Sequence, residues 1–101
     1  MVIEQLTFLI LPSLQARFLV LDHDIWTRTL AAQPGYIGKE IWREAGAPDR
    51  LHLVIRWESR QAWKAVPTDL LAETDRQFTA AFGDTFVMLG CLDQDVLTAM
   101  P

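Results

Sequence analysis

The sequence predicts an α+β domain whose strands and helices follow the order β-α-β-β-α-β. Four segments rich in apolar and β-branched residues have the length and patterning of strands, and two longer segments carry apolar residues at helical spacing. Proline or glycine stands at most of the junctions between these segments. Elements in this order form a four-stranded antiparallel sheet with both helices on one face, which is the ferredoxin-like arrangement.

The first strand is predicted over Val2–Leu11, and a long helix follows it. The strand is apolar on both faces over residues 6–10, which suits a central position in the sheet. Ser13 is a residue type that caps helices, and we expect the helix to run from there to about Gln33, where a Pro-Gly pair stops it. Its apolar residues form two adjacent stripes, with His23 in the row of the second: Leu14, Phe18, Leu21 and Ile25, then Leu19, Trp26 and Leu30.

A hairpin is predicted from two strands, Tyr36–Glu44 and Arg50–Trp57, with a turn over residues 45–49. We take Glu44 to pair with Arg50, which gives two further cross-strand pairs: Ile41 with Leu53, and Trp42 with His52. A one-residue slip of this register would exchange the two faces of the sheet. The predicted helix-covered face collects Ile37, Ile41, Leu53, Ile55 and Trp57, and the opposite face collects Tyr36, Glu40, Trp42, His52 and Arg56.

The second helical region is predicted in two parts. Ser59 caps a short helix that extends to about Val66, and a new helix begins at Pro67 and ends at Phe82, before a glycine. The fourth strand is predicted over residues 85–92.

Size and composition limit the functional classes. We expect a single domain over residues 1–101. The net charge of -4 and the scattered basic residues argue against nucleic-acid binding. Half of the residues are hydrophobic and four are tryptophan, so we expect a homodimer in which a second subunit covers apolar surface. A lone Cys91, no signal-peptide pattern and no apolar run of membrane-spanning length predict a cytoplasmic protein outside the membrane.

Trp57 and Trp63 are the leading candidates for a binding site, because they flank the corner between a strand and a helix. They can form an aromatic wall that stacks on a planar ligand, or they can simply fill the core, as large aromatic residues often do.

Three polar residues are further candidates. His23, between two aspartates, can act as a general base or stand as a solvated helix residue. His52 is either a proton acceptor in a cavity or a hydrogen-bonded residue of a subunit interface. Gln5, with Thr7 beside it on the first strand, lines a cavity or is a satisfied structural polar group. Two histidines and one cysteine predict no metal site, and no glycine-rich loop predicts a nucleotide site.

These residues carry a family resemblance. A strand ending in Trp57, followed by Ser59 and a helix through Trp63 and Pro67, resembles the antibiotic-biosynthesis-monooxygenase-like group of dimeric α+β barrels. Pro34-Gly35-Tyr36 fits the same pattern, and the likeness spans nearly the whole chain. Four segments also resemble a small cyanobacterial family within that group, one with no assigned activity: residues 22–27, 33–35, 38–40 and 54–59.

The resemblance implies a homodimer with a site between sheet and helices, near Trp57, Trp63 and Gln5. The group contains cofactor-free quinone-forming monooxygenases, haem-degrading enzymes and isomerases, so fold alone does not choose the function. The haem-degrading branch uses an Asn on strand 1 and a His on the second helix. Here Gln5 stands on strand 1 and no His follows His52, which excludes that branch. Two hypotheses follow: a cofactor-independent monooxygenase-like enzyme on a small aromatic substrate, for which the sequence offers no evident base, or a non-catalytic homodimer that binds a small apolar ligand or a protein partner.

Overall fold

A computed structural model describes residues 1–100, so the predicted domain end at residue 101 lies outside the described part. The observed order of elements confirms the predicted β-α-β-β-α-β order. The strands are β1 (Val2–Ile10), β2 (Tyr36–Glu44), β3 (Ala47–Trp57) and β4 (Phe86–Asp95). The helices are α1 (Pro12–Leu21), a π-helical segment (Asp22–Thr27), α2 (Arg28–Ala31), α3 (Arg60–Lys64) and α4 (Thr68–Phe82).

The four strands form one antiparallel sheet in the order β2-β3-β1-β4. Strand β1 is therefore central, as predicted, with β3 and β4 as its neighbours. We call the sheet face under the helices the helix face; it includes Leu6, Leu53 and Trp57, which share one side through the β1–β3 register. We call the opposite face the open face.

The middle of the β2–β3 hairpin has the predicted register, with Ile41 opposite Leu53 and Trp42 opposite His52. The predicted pair of Glu44 with Arg50 is wrong. Glu44 lies opposite Ala47, because the register shifts after Arg43 and the two strands are joined by a two-residue turn. Strand β3 therefore begins three residues earlier than predicted.

At the other end of the hairpin, a second register shift lies between Tyr36 and Gly38. It places Tyr36 opposite Trp57, and their rings meet edge to face with centroids 5.8 Å apart. The predicted faces of two residues are therefore wrong. Tyr36 lies on the helix face, whereas Ile37 is 48% exposed instead of buried. A bulge of this kind adds one residue to one strand and exchanges the faces of the residues before it.

The first helical region spans nearly the predicted length, but its start differs. It begins at Pro12 with no side-chain cap, so the predicted cap at Ser13 is wrong. Proline suits the first helical position because its missing N–H would have no partner there. Phe18 and Leu30 of the predicted stripes are buried, and the other stripe residues pack partly buried against the core. Two polar residues, Gln15 and Asp22, are buried beside them.

The second helical region agrees with the prediction. The Ser59 side chain caps α3 by accepting a hydrogen bond from the amide of Ala62 at 3.1 Å, and a new helix follows Pro67. Strand β4 extends to Asp95 and is longer than predicted. No helix among residues 1–100 is long and apolar enough to cross a membrane.

Two buried clusters lie between the sheet and the helices. The first is aromatic: Phe18 packs against four other phenylalanine rings with centroids 5.2–5.8 Å away. Those four are Phe8, Phe78, Phe82 and Phe86. The second cluster surrounds Trp57 and contains Val2, Leu30, Ile55 and Val66. Residues of both clusters line the cavity described next.

Candidate functional site

A cavity of about 480 Å³ lies between the helix face of the sheet and the helices. Ligand sites for small molecules have volumes of about 300–1,000 Å³ and mostly apolar walls with a few polar groups. This cavity has both properties. Its walls are apolar and largely aromatic apart from four charged side chains, namely Glu4, Asp22, Lys39 and Asp75.

The cavity opens to solvent on the side of α4 and β4. Ala72 and Asp75 on α4 and Met88 on β4 all line it, and all three are exposed. Trp57, in contrast, also lines the cavity but is 0% exposed. A ligand entering past α4 would therefore approach the indole of Trp57 across an apolar interior.

Both candidate tryptophans line this cavity. Trp57 ends β3 and faces the helices, while Trp63 lies on α3 and is half-buried. The ammonium of Lys64 lies over the Trp63 ring, 3.9 Å from its centroid, which is cation–π geometry. The two indoles therefore come from consecutive elements and border one space.

Glu4 is the carboxylate beside these indoles. Its side chain lies on the helix face, since Glu4 pairs with Ile55 and alternates with Val2 and Leu6 along β1. The indole N–H of Trp57 donates a hydrogen bond to Glu4 Oε1 at 3.2 Å. Burial raises the pKa of Glu4, and the Trp57 hydrogen bond and the charges of Lys64 and Lys39 oppose that rise. A carboxyl with a raised pKa is a better proton acceptor when it is ionised, which suits it to proton transfer.

A buried ion pair forms another part of the cavity wall. Lys39 Nζ, from β2, donates to Asp22 Oδ2 at 2.5 Å and to Thr27 Oγ1 at 3.1 Å. The side chains of Lys39 and Asp22 are only 5% and 4% exposed. Burial raises the pKa of Asp22, and the positive charge of Lys39 opposes the rise.

The structure does not bring Gln5 to the cavity. Gln5 alternates with Glu4 and so lies on the open face, and the predicted placement of Gln5 beside Trp57 and Trp63 is wrong. Its side chain instead accepts a hydrogen bond from Gln94 at 2.9 Å.

His52 lies next to Gln5 on the open face, also away from the cavity. Its Nδ1 is 2.8 Å from Thr7 Oγ1 and 3.5 Å from Gln5 Nε2, and its Nε2 is 3.0 Å from Glu44 Oε1. This network gives Gln5, Thr7 and His52 hydrogen-bond partners.

His23 is an exposed residue of the π segment and does not line the cavity. Its neighbour Asp22 is the side chain that turns inward. Among residues 1–100, no group of three or more His, Cys, Asp or Glu side chains could hold a metal ion.

Sequence reasoning missed Glu4, Asp22 and Lys39, although each had a signal. Glu4 is in step with the apolar residues of one face of β1. Asp22 follows Phe18 by four residues, in the middle of the apolar face of the helix. Lys39 is two residues from Ile41, on the same side of β2. Glu4 and Asp22 each interrupt a row of mostly buried residues, and Lys39 is a charged residue on the helix face of β2. Buried charges are rare unless they are paired or functional.

The antibiotic biosynthesis monooxygenase family matches residues 1–66, more than half of the chain. The chain belongs to this family. The matched residues of this antibiotic biosynthesis monooxygenase family member include β1 to β3 and α3. They therefore include Glu4, the Asp22–Lys39 ion pair, Trp57 and Trp63. No curated protein matches the chain.

Solved structures share the fold across the whole domain. A cofactor-independent oxygenase, SnoaB from Streptomyces nogalater, is 15% identical with a TM-score of 0.71, covering 99% of this chain and 96% of its own. A Streptomyces coelicolor monooxygenase solved in complex with the ligand nanaomycin D is 14% identical with a TM-score of 0.73, covering 99% and 91%. A conserved protein from Methanosarcina mazei Go1 is 13% identical with a TM-score of 0.64, covering 91% and 88%. At these identities the likeness shows the fold, and a shared fold does not determine the chemistry of this family member.

Proposed function

We propose that this protein is a cofactor-independent monooxygenase-like enzyme that oxidises a small aromatic substrate in the cavity between Trp57 and Trp63, with Glu4 as the base. The observation that supports this proposal most directly is the carboxylate of Glu4, which lies in an apolar, aromatic-walled cavity and has a raised pKa. Family membership agrees with it, as does the similarity in fold to a cofactor-independent oxygenase and to a monooxygenase solved in complex with the ligand nanaomycin D.

The substrate class follows from the chemistry that the cavity supplies. It is an aromatic compound with an acidic CH₂ group, such as an anthrone, which can itself reduce O₂. Glu4 removes the proton, and the resulting carbanion forms a C–O bond with O₂. Return of the proton gives a hydroperoxide, and loss of water from it converts the CH₂ group to a carbonyl. The substrate supplies all four electrons, one oxygen atom enters the product and the other leaves as water.

Anthrone and O₂ provide the direct test. We expect the protein to accelerate formation of anthraquinone with one O₂ consumed per quinone, and kcat/KM to rise with pH through an apparent pKa above 4.5, because burial raises the pKa of Glu4. Glu4→Gln keeps an acceptor for the Trp57 N–H but removes the base, so kcat/KM should fall about 10²- to 10⁴-fold.

Glu40→Gln is the matched control for this test, because Glu40 is also on the sheet but lies on the open face, where it accepts a hydrogen bond from Arg56. It should leave the rate within about twofold of wild type. Equal turnover by wild type and Glu4→Gln, or no acceleration by wild type, would contradict the proposed function.

We also propose that two chains associate through their open faces. Trp42, Val87 and Leu92 are exposed apolar residues on that face, placed there by their pairing with His52, Leu9 and Gln5. Contiguous exposed apolar surface on a small domain marks an interaction site, and a self-complementary sheet face suits a twofold homodimer.

A further inference from the structure

The Asp22–Lys39 ion pair is buried in the wall of the cavity. Replacing a buried ion pair by apolar residues of similar volume is often neutral or stabilising, so stability alone does not account for such a pair. Lys39 and Asp22 line the same space as Trp57 and Glu4, and the charge of Lys39 acts on the Glu4 carboxyl. The cavity thus contains a cation close enough to the candidate base to interact with it electrostatically.

The ammonium of Lys39 has one hydrogen left for a ligand. A lysine carries three N–H donors, and among residues 1–100 Lys39 Nζ has two acceptors, Asp22 and Thr27. Those two acceptors fix the Nζ position, because Asp22 and Thr27 are the first and last residues of the π segment and hold the ammonium from both ends. Single-turn π segments often occur at functional sites, where they re-aim side chains.

We infer that Lys39, positioned by Asp22 and Thr27, binds an oxygen acceptor of the ligand and selects aromatic molecules that carry a carbonyl or phenolate oxygen. This inference rests on the proposed function, whose site it shares. In the anthrone-like class, the oxygen on the ring system gains negative charge when Glu4 removes the proton. Lys39 would stabilise that oxygen, because a charged donor in a water-poor site strengthens as the acceptor becomes more negative.

Fluorene and 9-fluorenone test the inference because they are tricyclic molecules of nearly equal size that differ in one carbonyl oxygen. Neither needs Glu4 or O₂ to bind, so binding is measured apart from catalysis. In equilibrium dialysis we expect wild type to bind fluorenone about tenfold more tightly than fluorene, which is the gain of one charge-assisted hydrogen bond. Infrared spectra should show the carbonyl stretch of bound fluorenone at lower wavenumber than in an apolar solvent.

Three variants identify the donor. Asp22→Asn with Lys39→Met removes both charges together and should abolish the preference for fluorenone and the infrared shift. Asp22→Asn alone removes the buried counter-ion that positions the Lys39 ammonium, so it should weaken both. Glu4→Gln should retain both, although it removes turnover. The wild-type preference and infrared shift test the inference even where the double variant does not fold.

Equal binding of the two ligands by wild type, or a preference that persists in the folded double variant, would overturn the role of Lys39 and leave the aromatic cavity in place. Failure of wild type to bind either ligand would overturn the inference and the proposed function together.

Discussion

At the scale of single residues, Glu4 carries the clearest conflict between folding and chemistry. It stands in a row of otherwise apolar residues on the central strand, where Val2, Leu6 and Phe8 pack against the helices. The fold stabilises its neutral form relative to the charged form, as its raised pKa records. The ionised form of Glu4, which is the form that can accept a proton, therefore lowers the free energy of unfolding relative to the neutral form.

This conflict predicts how stability depends on pH. The folded pKa of Glu4 is raised above the unfolded value near 4.5, so its contribution to stability is complete below pH 4.5 and is lost as pH rises through the folded pKa. Glu4→Gln cannot ionise. Chemical denaturation should find it more stable than wild type at pH 8, with the difference vanishing near pH 4. A stability difference that stays constant between these pH values would contradict the raised pKa of Glu4.

The candidate site could be predicted only in part from the sequence. The Trp57–Trp63 corner was correctly predicted as two indoles on consecutive elements. Glu4 and Gln5 are adjacent polar residues of β1 and therefore lie on opposite faces of the sheet. The sequence does not determine which of these two faces the helices cover. Side chains alternate between the two faces of a strand, so a site prediction that is displaced by one residue falls on the opposite face of the sheet.

At the scale of elements, the turn before β2 positions the short helix that carries Trp63. Gly35 has a φ of 86°, and its carbonyl accepts a hydrogen bond from the amide of Glu58 at 2.8 Å. A side chain added at Gly35 would overlap the Cβ of Ala62 on α3. Helix α3 has no fully buried residue of its own, so this close approach is one of the contacts that place it.

Gly35→Ala should therefore destabilise the fold by about 1–3 kcal/mol from its backbone conformation, with a further cost from the overlap. Gly38→Ala is the matched control, because nothing lies within 4 Å of a Cβ added there, and it should change stability by less than about 0.5 kcal/mol. Thermal unfolding measures both. Adding Ala62→Gly to Gly35→Ala should remove the cost of the overlap and leave the cost of the backbone conformation. Equal losses of stability for Gly35→Ala and Gly38→Ala would refute this account.

Element boundaries were predicted well where a residue type dictates the local geometry. Ser59 capped α3 and a new helix followed Pro67, because capping and proline geometry act over a few residues. The bulge at Ile37 and the π segment were missed. Each inserts a residue into a regular ladder, and only the tertiary contacts on both sides determine where that insertion falls.

At the scale of the whole molecule, the chain is a slab with extents of 36 × 34 × 20 Å. Stacked layers lie about 10 Å apart, so its thickness admits one sheet and one layer of helices. The sheet therefore has no second layer to cover its open face, where Trp42 is 46% exposed. A second copy of the chain would supply that layer.

Trp42→Glu should weaken the homodimer, because it replaces an exposed indole of the proposed contact by a carboxylate. Sedimentation velocity at micromolar concentration should show a dimer for wild type and a monomer for the variant. Val20→Glu is the matched control, since Val20 on α1 is a similarly exposed apolar residue away from the sheet. It should remain dimeric. A wild-type monomer at this concentration would refute the association.

The alternation of β1 has a consequence for how this domain can evolve. Glu4, Leu6 and Phe8 line the cavity, whereas Gln5 and Thr7 belong to the surface proposed for the partner. One insertion or deletion in the strand would exchange the residues of these two surfaces at once, whereas a substitution alters one and spares the other. We therefore expect the length of this strand to be under stronger selection than its individual residues.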